Sequence, residues 1–485
     1  MTERIRRMGV VLGFLFCVLL LMVTKLQLVD AEKNQNHPQN TRDLARDFGR
    51  DRGAIQTADG VVLARSEPSD DQYRLQRTYP EGALFAPVTG YLSFTYVSDG
   101  AERAFNDQLT GGTASAGDRS LKDLFQEDAS SRDVTLTIRA DVQKAAAAAL
   151  GNRKGAVVAL DPSNGDVLAL VSFPTFDPNP LAGHTQADVT RAWDGFNADP
   201  NKPLLPRAYR ESYPPGSTFK VVTAGAALDR QRELAEKDYP RLKQLDLPRT
   251  TKDLPNFGGG TCGGRIGDLL RVSCNTGFAQ MGIDLGGQNL TAEAQAFGFG
   301  ERPPLDLPAP ARSRFPAAER FKGNDLGEPG LAFSAIGQQN VSATPLQMAL
   351  VAAAVANNGV IMKPHVLAKV TDPKGAVTDT YAPSAWRTAT SPETAAALKA
   401  MMVDVAARGT ATRAQIPGAT VGGKTGTAQT QGDNAHAWII TFAPAEAPRV
   451  AVAVIVESQP GLGDVTGGRI AAPIAAEVMK VALGL

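Results

Sequence analysis

Gly155-Ala156-Val157-Val158-Ala159-Leu160, then Pro162-Ser163-Asn164-Gly165, then Asp166-Val167-Leu168-Ala169-Leu170-Val171: two apolar runs flank a turn-forming tetrapeptide. Proline, serine, asparagine and glycine each favour chain reversal, and short valine-rich runs suit strands. The runs are apolar at successive positions, not at alternate ones. Strands of that kind are buried on both faces, so the hairpin predicts a sheet covered by helices.

The flanking chain fits the same plan. Upstream, Val134, Leu136 and Ile138 alternate as one face of a strand, and residues 140–150 form an Ala-rich helix. Downstream, residues 174–206 are rich in Pro, Asn and Asp and read as an irregular approach to a mostly helical stretch, 217–358. The clearest late helix there covers 346–356, opened by the cap-then-proline pair Thr344-Pro345. Another starts at Ser391-Pro392, reaches Arg408 and stops at Gly409. Strands follow at 421–429, 438–442 and 449–456, then a closing helix over 470–483. Two strands, a helical body, three strands and a terminal helix predict an α+β domain over residues 133–485. Its antiparallel five-stranded sheet is packed by helices and shared by both ends of the domain.

The N-terminal part is different. Arg4, Arg6 and Arg7 precede seventeen uncharged residues, 8–24, and Leu26, Leu28 and Val29 resume the apolar character. That is the short end of a spanning helix, which a snorkelling Lys25 extends. The basic flank predicts a single-pass anchor over residues 1–30, its N-terminus cytoplasmic and the rest outside. The competing reading is a cleaved signal peptide, with Val29-Asp30-Ala31 as the cleavage site; Lys25 and Gln27 interrupt the approach to it. Residues 32–46 are a polar spacer. Arg52-Gly53-Ala54-Ile55 and Asp59-Gly60-Val61-Val62-Leu63-Ala64 predict a hairpin, with short helices at 105–109 and 121–125. Residues 31–132 therefore read as a small β-rich, non-catalytic domain.

Bulk properties narrow the function. The 485 residues are 43% hydrophobic with 50 basic and 50 acidic side chains, so no charge excess points to nucleic acid. His37, His184, His365 and His436 are scattered, and no Cys/His spacing suits a metal. Cys17 lies in the apolar run, which leaves Cys262 and Cys274 as candidates for a disulfide; two unpaired thiols are the alternative.

Three short sets could carry chemistry. In Pro214-Pro215-Gly216-Ser217-Thr218-Phe219-Lys220 a rigid turn delivers Ser217 to a helix start, with Lys220 one turn on along the same face. A hydroxyl nucleophile needs an adjacent base, which a lysine kept neutral in a dry site supplies. In Ser273-Cys274-Asn275, on a connector between helices at 266–272 and 276–285, a hydroxyl and an amide can point into one cleft. In Gly422-Gly423-Lys424-Thr425-Gly426-Thr427 the glycines mark close approach to a strand that offers a cation and two hydroxyls. Each set alone is a common arrangement of common residues.

Together, and in this order, the sets resemble the motifs of the penicillin-binding proteins and serine β-lactamases. Within that superfamily the chain looks like a class B penicillin-binding protein. Tyr213 through Lys220 is similar to the class B form of the first motif. Ile336-Gly337-Gln338, Thr344 through Ala349, Asn358-Gly359 and Pro364-His365 look like a further class B block, while the start of the small domain resembles a dimerisation or pedestal-like module. Gln339 departs from the family, which more often has glycine there, and implies a local loop difference. The resemblance implies an acyl-serine D,D-transpeptidase in the bacterial cell membrane, catalytic domain extracytoplasmic, without cofactor. It would cross-link peptidoglycan stem peptides ending in D-Ala-D-Ala and be acylated by β-lactams. Ser217 would be nucleophile, Lys220 its base, Ser273 and Lys424 a proton relay, and Asn275 the substrate-amide holder. Thr425, Gly426 and Thr427 would bind the terminal carboxylate. A SEDS-type glycan polymerase is the implied membrane partner.

Three rivals use the same residues. A carboxypeptidase or β-lactamase would hydrolyse; Ser273-Cys274-Asn275 lacks a central Asp, and a β-lactamase has no need of the small domain. A β-lactam sensor would need more membrane segments, and a silent scaffold would not need every motif residue.

Overall fold

The computed structural model describes residues 2–26, 51–111, 131–251, 253–323, 325–429, 435–458 and 466–485. The spacer 32–46 and the short helix expected at 121–125 lie outside them. Helix α1 (Thr2–Thr24) takes in the arginines as well as the apolar run. Residues Glu3–Thr24, 22 in number, are unburied and make the one helix among the described residues long and apolar enough to cross a membrane. Its length of about 33 Å matches the hydrocarbon thickness.

Strands β1 (Ile55–Gln56) and β2 (Val62–Pro68) form the Asp59-Gly60 hairpin, and β3 (Leu75–Thr78) pairs with β2. Then come β4 (Asp133–Leu136), α2 (Ala140–Leu150), β5 (Gly155–Leu160), β6 (Val167–Phe173) and α3 (Gln186–Ala198). The helical body contributes α4 (Lys220–Arg230), α5 (Ile266–Arg271), α6 (Asn275–Ala296) and α7 (Pro345–Ala356). After it stand β7 (Leu367–Thr371), β8 (Val377–Thr380), α8 (Pro392–Arg408), β9 (Gly422–Gln429), β10 (Ala435–Ala443), β11 (Val450–Val456) and α9 (Ala472–Leu483).

The five-stranded sheet runs β9-β10-β11-β5-β6, antiparallel throughout, so the chain's last strands complete the sheet that the β5–β6 hairpin starts. Every residue of β5 and β11 is buried, which requires cover on both faces. Helix α7, buried along its whole length, is part of that cover. The class expected from the sequence, α+β with this sheet, is the one found.

A second sheet has six strands in the order β8-β7-β4-β1-β2-β3. Its β7 and β8 come from residues 367–380, so the small domain's sheet is completed by chain from the far side of the helical body. Beside it Glu102 is fully buried, 2.7 Å from Arg52 Nε, 2.6 Å from Arg77 Nε and 3.1 Å from the Tyr79 hydroxyl.

Three details differ from the sequence reading. Residues 174–206 are not wholly irregular: α3 presents Val189, Ala192, Trp193 and Phe196 at helical spacing, and Pro/Asp-rich flanks mask it. The stretch 217–358 contains short strands, among them Tyr239–Leu242 paired with Cys262–Gly264. The closing helix begins at Ala472, after a π-helical lead-in over Gly467–Ala471.

Candidate active site

Ser217 lies in a 3-10 turn, Gly216–Phe219, and α4 starts at Lys220; the serine precedes the α-helix and does not open it. Two features set the turn. The Thr218 hydroxyl donates to the Pro215 carbonyl at 2.7 Å, and Gly216 takes a φ of +53° with its N–H donating to the Gly337 carbonyl at 2.9 Å. A Cβ at Gly216 would stand 2.9 Å from the Thr427 carbonyl oxygen, and one at Gly426 2.9 Å from that of Pro215. The turn and edge strand β9 thus meet backbone to backbone, which accounts for glycine at both places.

Between α5 and α6, Ser273 has a φ of +60°, a left-handed conformation that a serine adopts only when its surroundings impose it. The consequence is local. Lys220 Nζ donates to the Ser273 carbonyl at 2.7 Å and to Asn275 Oδ1 at 2.7 Å, with the Ser273 hydroxyl 3.4 Å away. From β9, Lys424 Nζ donates to the same hydroxyl at 2.8 Å and to the Thr425 carbonyl at 2.8 Å. One serine hydroxyl therefore stands between two lysines.

Both lysine side chains are fully buried. Burial first, and the Lys424 charge second, hold Lys220 well below the ordinary lysine range, which favours its amine form. Burial alone pushes Lys424 down to about 7. The Phe278 ring, 5.6 Å from Lys220 Nζ, helps keep that end of the site dry.

Ser217, Ser273, Asn275, Thr425 and Thr427 line one open groove of about 1350 Å³. The two lysines lie behind its wall, within reach of the Ser273 hydroxyl but out of solvent. Sequence reading missed three residues. The Thr410 hydroxyl is 2.6 Å from that of Thr425, yet in sequence Thr410 is only the residue after a helix-stopping glycine. Asn256 lies in a stretch read as helical. Gln339, noted only as a departure, also lines the groove and takes a φ of +56°, the conformation for which glycine is the easier residue. Cys262 and Cys274 are disulfide-bonded, tying the strand pair Tyr239–Leu242 and Cys262–Gly264 to the start of α6.

Residues 155–480 match the model of the penicillin binding protein transpeptidase domain, and residues 52–133 that of the penicillin binding protein A dimerisation domain. Over its whole length the chain is 40% identical to the peptidoglycan D,D-transpeptidase PbpA of Mycolicibacterium smegmatis, of which it covers 99%. With the PbpA of Mycobacterium tuberculosis it shares 39% identity at the same coverage. The fold resembles the ceftriaxone acyl-enzyme complex of penicillin-binding protein A from M. tuberculosis, with a TM-score of 0.82 and 38% identity over 90% of this chain and 99% of that one. The penicillin G acyl-enzyme complex of the same protein matches with a TM-score of 0.80 and 38% identity over 90% of this chain and all of that one.

Proposed function

The chain belongs to the penicillin-binding protein transpeptidase family, and from that premise we propose that it is a serine-type peptidoglycan D,D-transpeptidase inhibited covalently by β-lactams. The observation that carries the reading is the buried pair Lys220 and Lys424 flanking the Ser273 hydroxyl behind the Ser217 groove. An acyl-serine mechanism needs that set: a nucleophile, a neutral amine beside it, and a donor for the leaving group.

In this reading the Ser217 hydroxyl attacks the penultimate D-Ala carbonyl as its proton passes to Lys220. Backbone N–H groups of Ser217 and Thr427 hold the oxyanion; one such donor typically contributes about 2.7–4 kcal/mol to the transition state. The carbon–nitrogen bond to the terminal D-Ala then breaks, and the Ser273 hydroxyl, replenished within the lysine pair, passes a proton to the departing amine. An acceptor amine attacks the acyl-serine, forms the cross-link, and returns the proton and the free hydroxyl to Ser217. Asn275 holds the substrate amide, and Thr425, Gly426 and Thr427 the terminal carboxylate. Thr410 orients the Thr425 hydroxyl.

The basic residues at the start of α1 support an N-terminus in the cytoplasm and a groove outside, where peptidoglycan is. A SEDS-type glycan polymerase in the same membrane is the partner we propose; its support is the family resemblance and the anchor helix. Labelling with a fluorescent penicillin tests the nucleophile: the unmutated chain should be labelled and Ser217→Ala should not, and equal labelling would refute the assignment. A stem peptide offered with an acceptor amine should then give transfer product in excess of hydrolysis.

A further inference from the structure

Helix α6 carries Asn275 as its first residue, and it starts without a capping side chain of its own. The residue before it, Cys274, has its sulfur in the disulfide. The cap comes from elsewhere. Asn256 Oδ1, nineteen and twenty residues back along the chain, accepts the backbone N–H of Asn275 and that of Thr276, each at 3.0 Å. The other half of the same amide donates to the carbonyls of Leu242, at 2.8 Å, and Gly260, at 3.0 Å. Asn256 is buried, with 7% of its surface exposed, and both ends of its amide are engaged. Its neighbour completes the grip: the Pro255 carbonyl accepts from Asn275 Nδ2 at 3.1 Å. Since Nδ2 is held, Oδ1 faces the other way, toward Lys220 Nζ.

We propose that Asn256 is a positioning residue for acylation. Together with the Pro255 carbonyl it orients the Asn275 amide, and through that amide the Lys220 side chain. The inference rests on the reading of Ser217 as an acylated nucleophile. A surface loop needs no buried asparagine gripping a helix start this way, whereas a site in which one amide oxygen must face a lysine does. The amide of Asn275 has two orientations of nearly equal shape. Only one of them presents an acceptor to Lys220.

The test is the second-order rate of acylation by a fluorescent penicillin, followed against pH in the full chain in detergent. Asn256→Ala should lower the maximal rate about 10- to 100-fold, as expected for a displaced catalytic constellation. It should also move the acidic limb to lower pH, because Oδ1 favours the charged form of Lys220 and a freed or flipped amide does not. Asn256→Asp keeps an acceptor for the two backbone N–H groups but loses the two donors to the Leu242 and Gly260 carbonyls and adds a negative charge. Relative to Asn256→Ala it should therefore recover part of the rate and move the limb back toward higher pH. Wild-type rate and limb in Asn256→Ala would overturn the proposal. So would a lowered rate with an unmoved limb and no recovery in Asn256→Asp, since that is loss of structure alone. Acylation of the unmutated chain at Ser217, measured alongside, tests the underlying reading separately.

Discussion

Lys424 Nζ and the Ser273 hydroxyl meet at 2.8 Å across 151 residues of chain. The contact joins the sheet edge to the interhelical connector and brings a second positive charge toward Lys220. That charge is one of the two causes that lower the proton affinity of Lys220, after burial. Lys424→Met removes it and keeps most of the apolar stem. Lys220 should then hold its proton to higher pH, so the acidic limb of β-lactam acylation should move to higher pH. The maximal rate should fall roughly 100-fold or more, as when a positioned proton-transfer group is lost. A limb that stays put, or moves to lower pH, would count against charge coupling between the two lysines.

How much of this could be read beforehand depends on where each signal lies. The hairpin of β5 and β6 is visible because both strands, Ser172 apart, are apolar at successive positions, and helices α7 and α8 because Thr344 and Ser391 cap them as the sequence suggests. Strand β8 is exposed along its whole length, so no hydrophobic pattern marks it. In the site, Ser217, Lys220, Ser273, Asn275 and Lys424 stand in three recognisable sets. Thr410 and Asn256 do not, because each acts through a contact with a distant segment and local sequence holds no trace of its partner. The left-handed turn at Ser273 is equally hidden, since serine is not the residue that conformation favours.

Glu102 makes a prediction for the small domain. Burial alone would raise its carboxyl, but Arg77 and Arg52 outweigh burial and hold it below the usual range. Glu102→Gln leaves two buried guanidinium groups without a counter-charge, a change that costs about 3–5 kcal/mol. Urea unfolding at pH 7 should show that loss. The pair's contribution is full above the ordinary glutamate pKa and fades as pH falls through the lowered one, so the difference from wild type should shrink in strong acid. A loss under about 1 kcal/mol at pH 7 would mean the guanidinium groups find other partners.

The disulfide predicts a labelling pattern. Under denaturing conditions without reductant, alkylation should mark Cys17 alone; with reductant it should mark Cys262 and Cys274 as well. Closing a loop with a sequence separation of 12 should contribute about 2–3 kcal/mol, so Cys262→Ser with Cys274→Ser should lower the unfolding midpoint. Three alkylations without reductant would remove the bridge from the account.

Glu293 gives the clearest pH signature of stability. It sits fully buried in α6, with Oε2 accepting from Arg230 Nε at 2.7 Å and Oε1 without a hydrogen-bond partner among the described residues. Burial pushes its carboxyl up from 4.5 to about 7; Arg230 opposes the rise and Asp229 adds to it. The unfolded chain therefore releases this proton near pH 4.5, while the folded chain keeps it to about 7. Between those values folding takes up a proton, so the group's contribution worsens as pH rises and is constant above about 7. Glu293→Gln removes the titration while keeping an acceptor for Arg230. Relative to wild type, the variant should be more stable at pH 8 than at pH 5 by about 1–3 kcal/mol. Paired thermal melts at the two pH values measure the difference directly. If the gap is the same at both, or the variant is favoured at pH 5, the carboxyl is charged throughout and Arg230 is a stronger partner than its partly exposed side chain suggests.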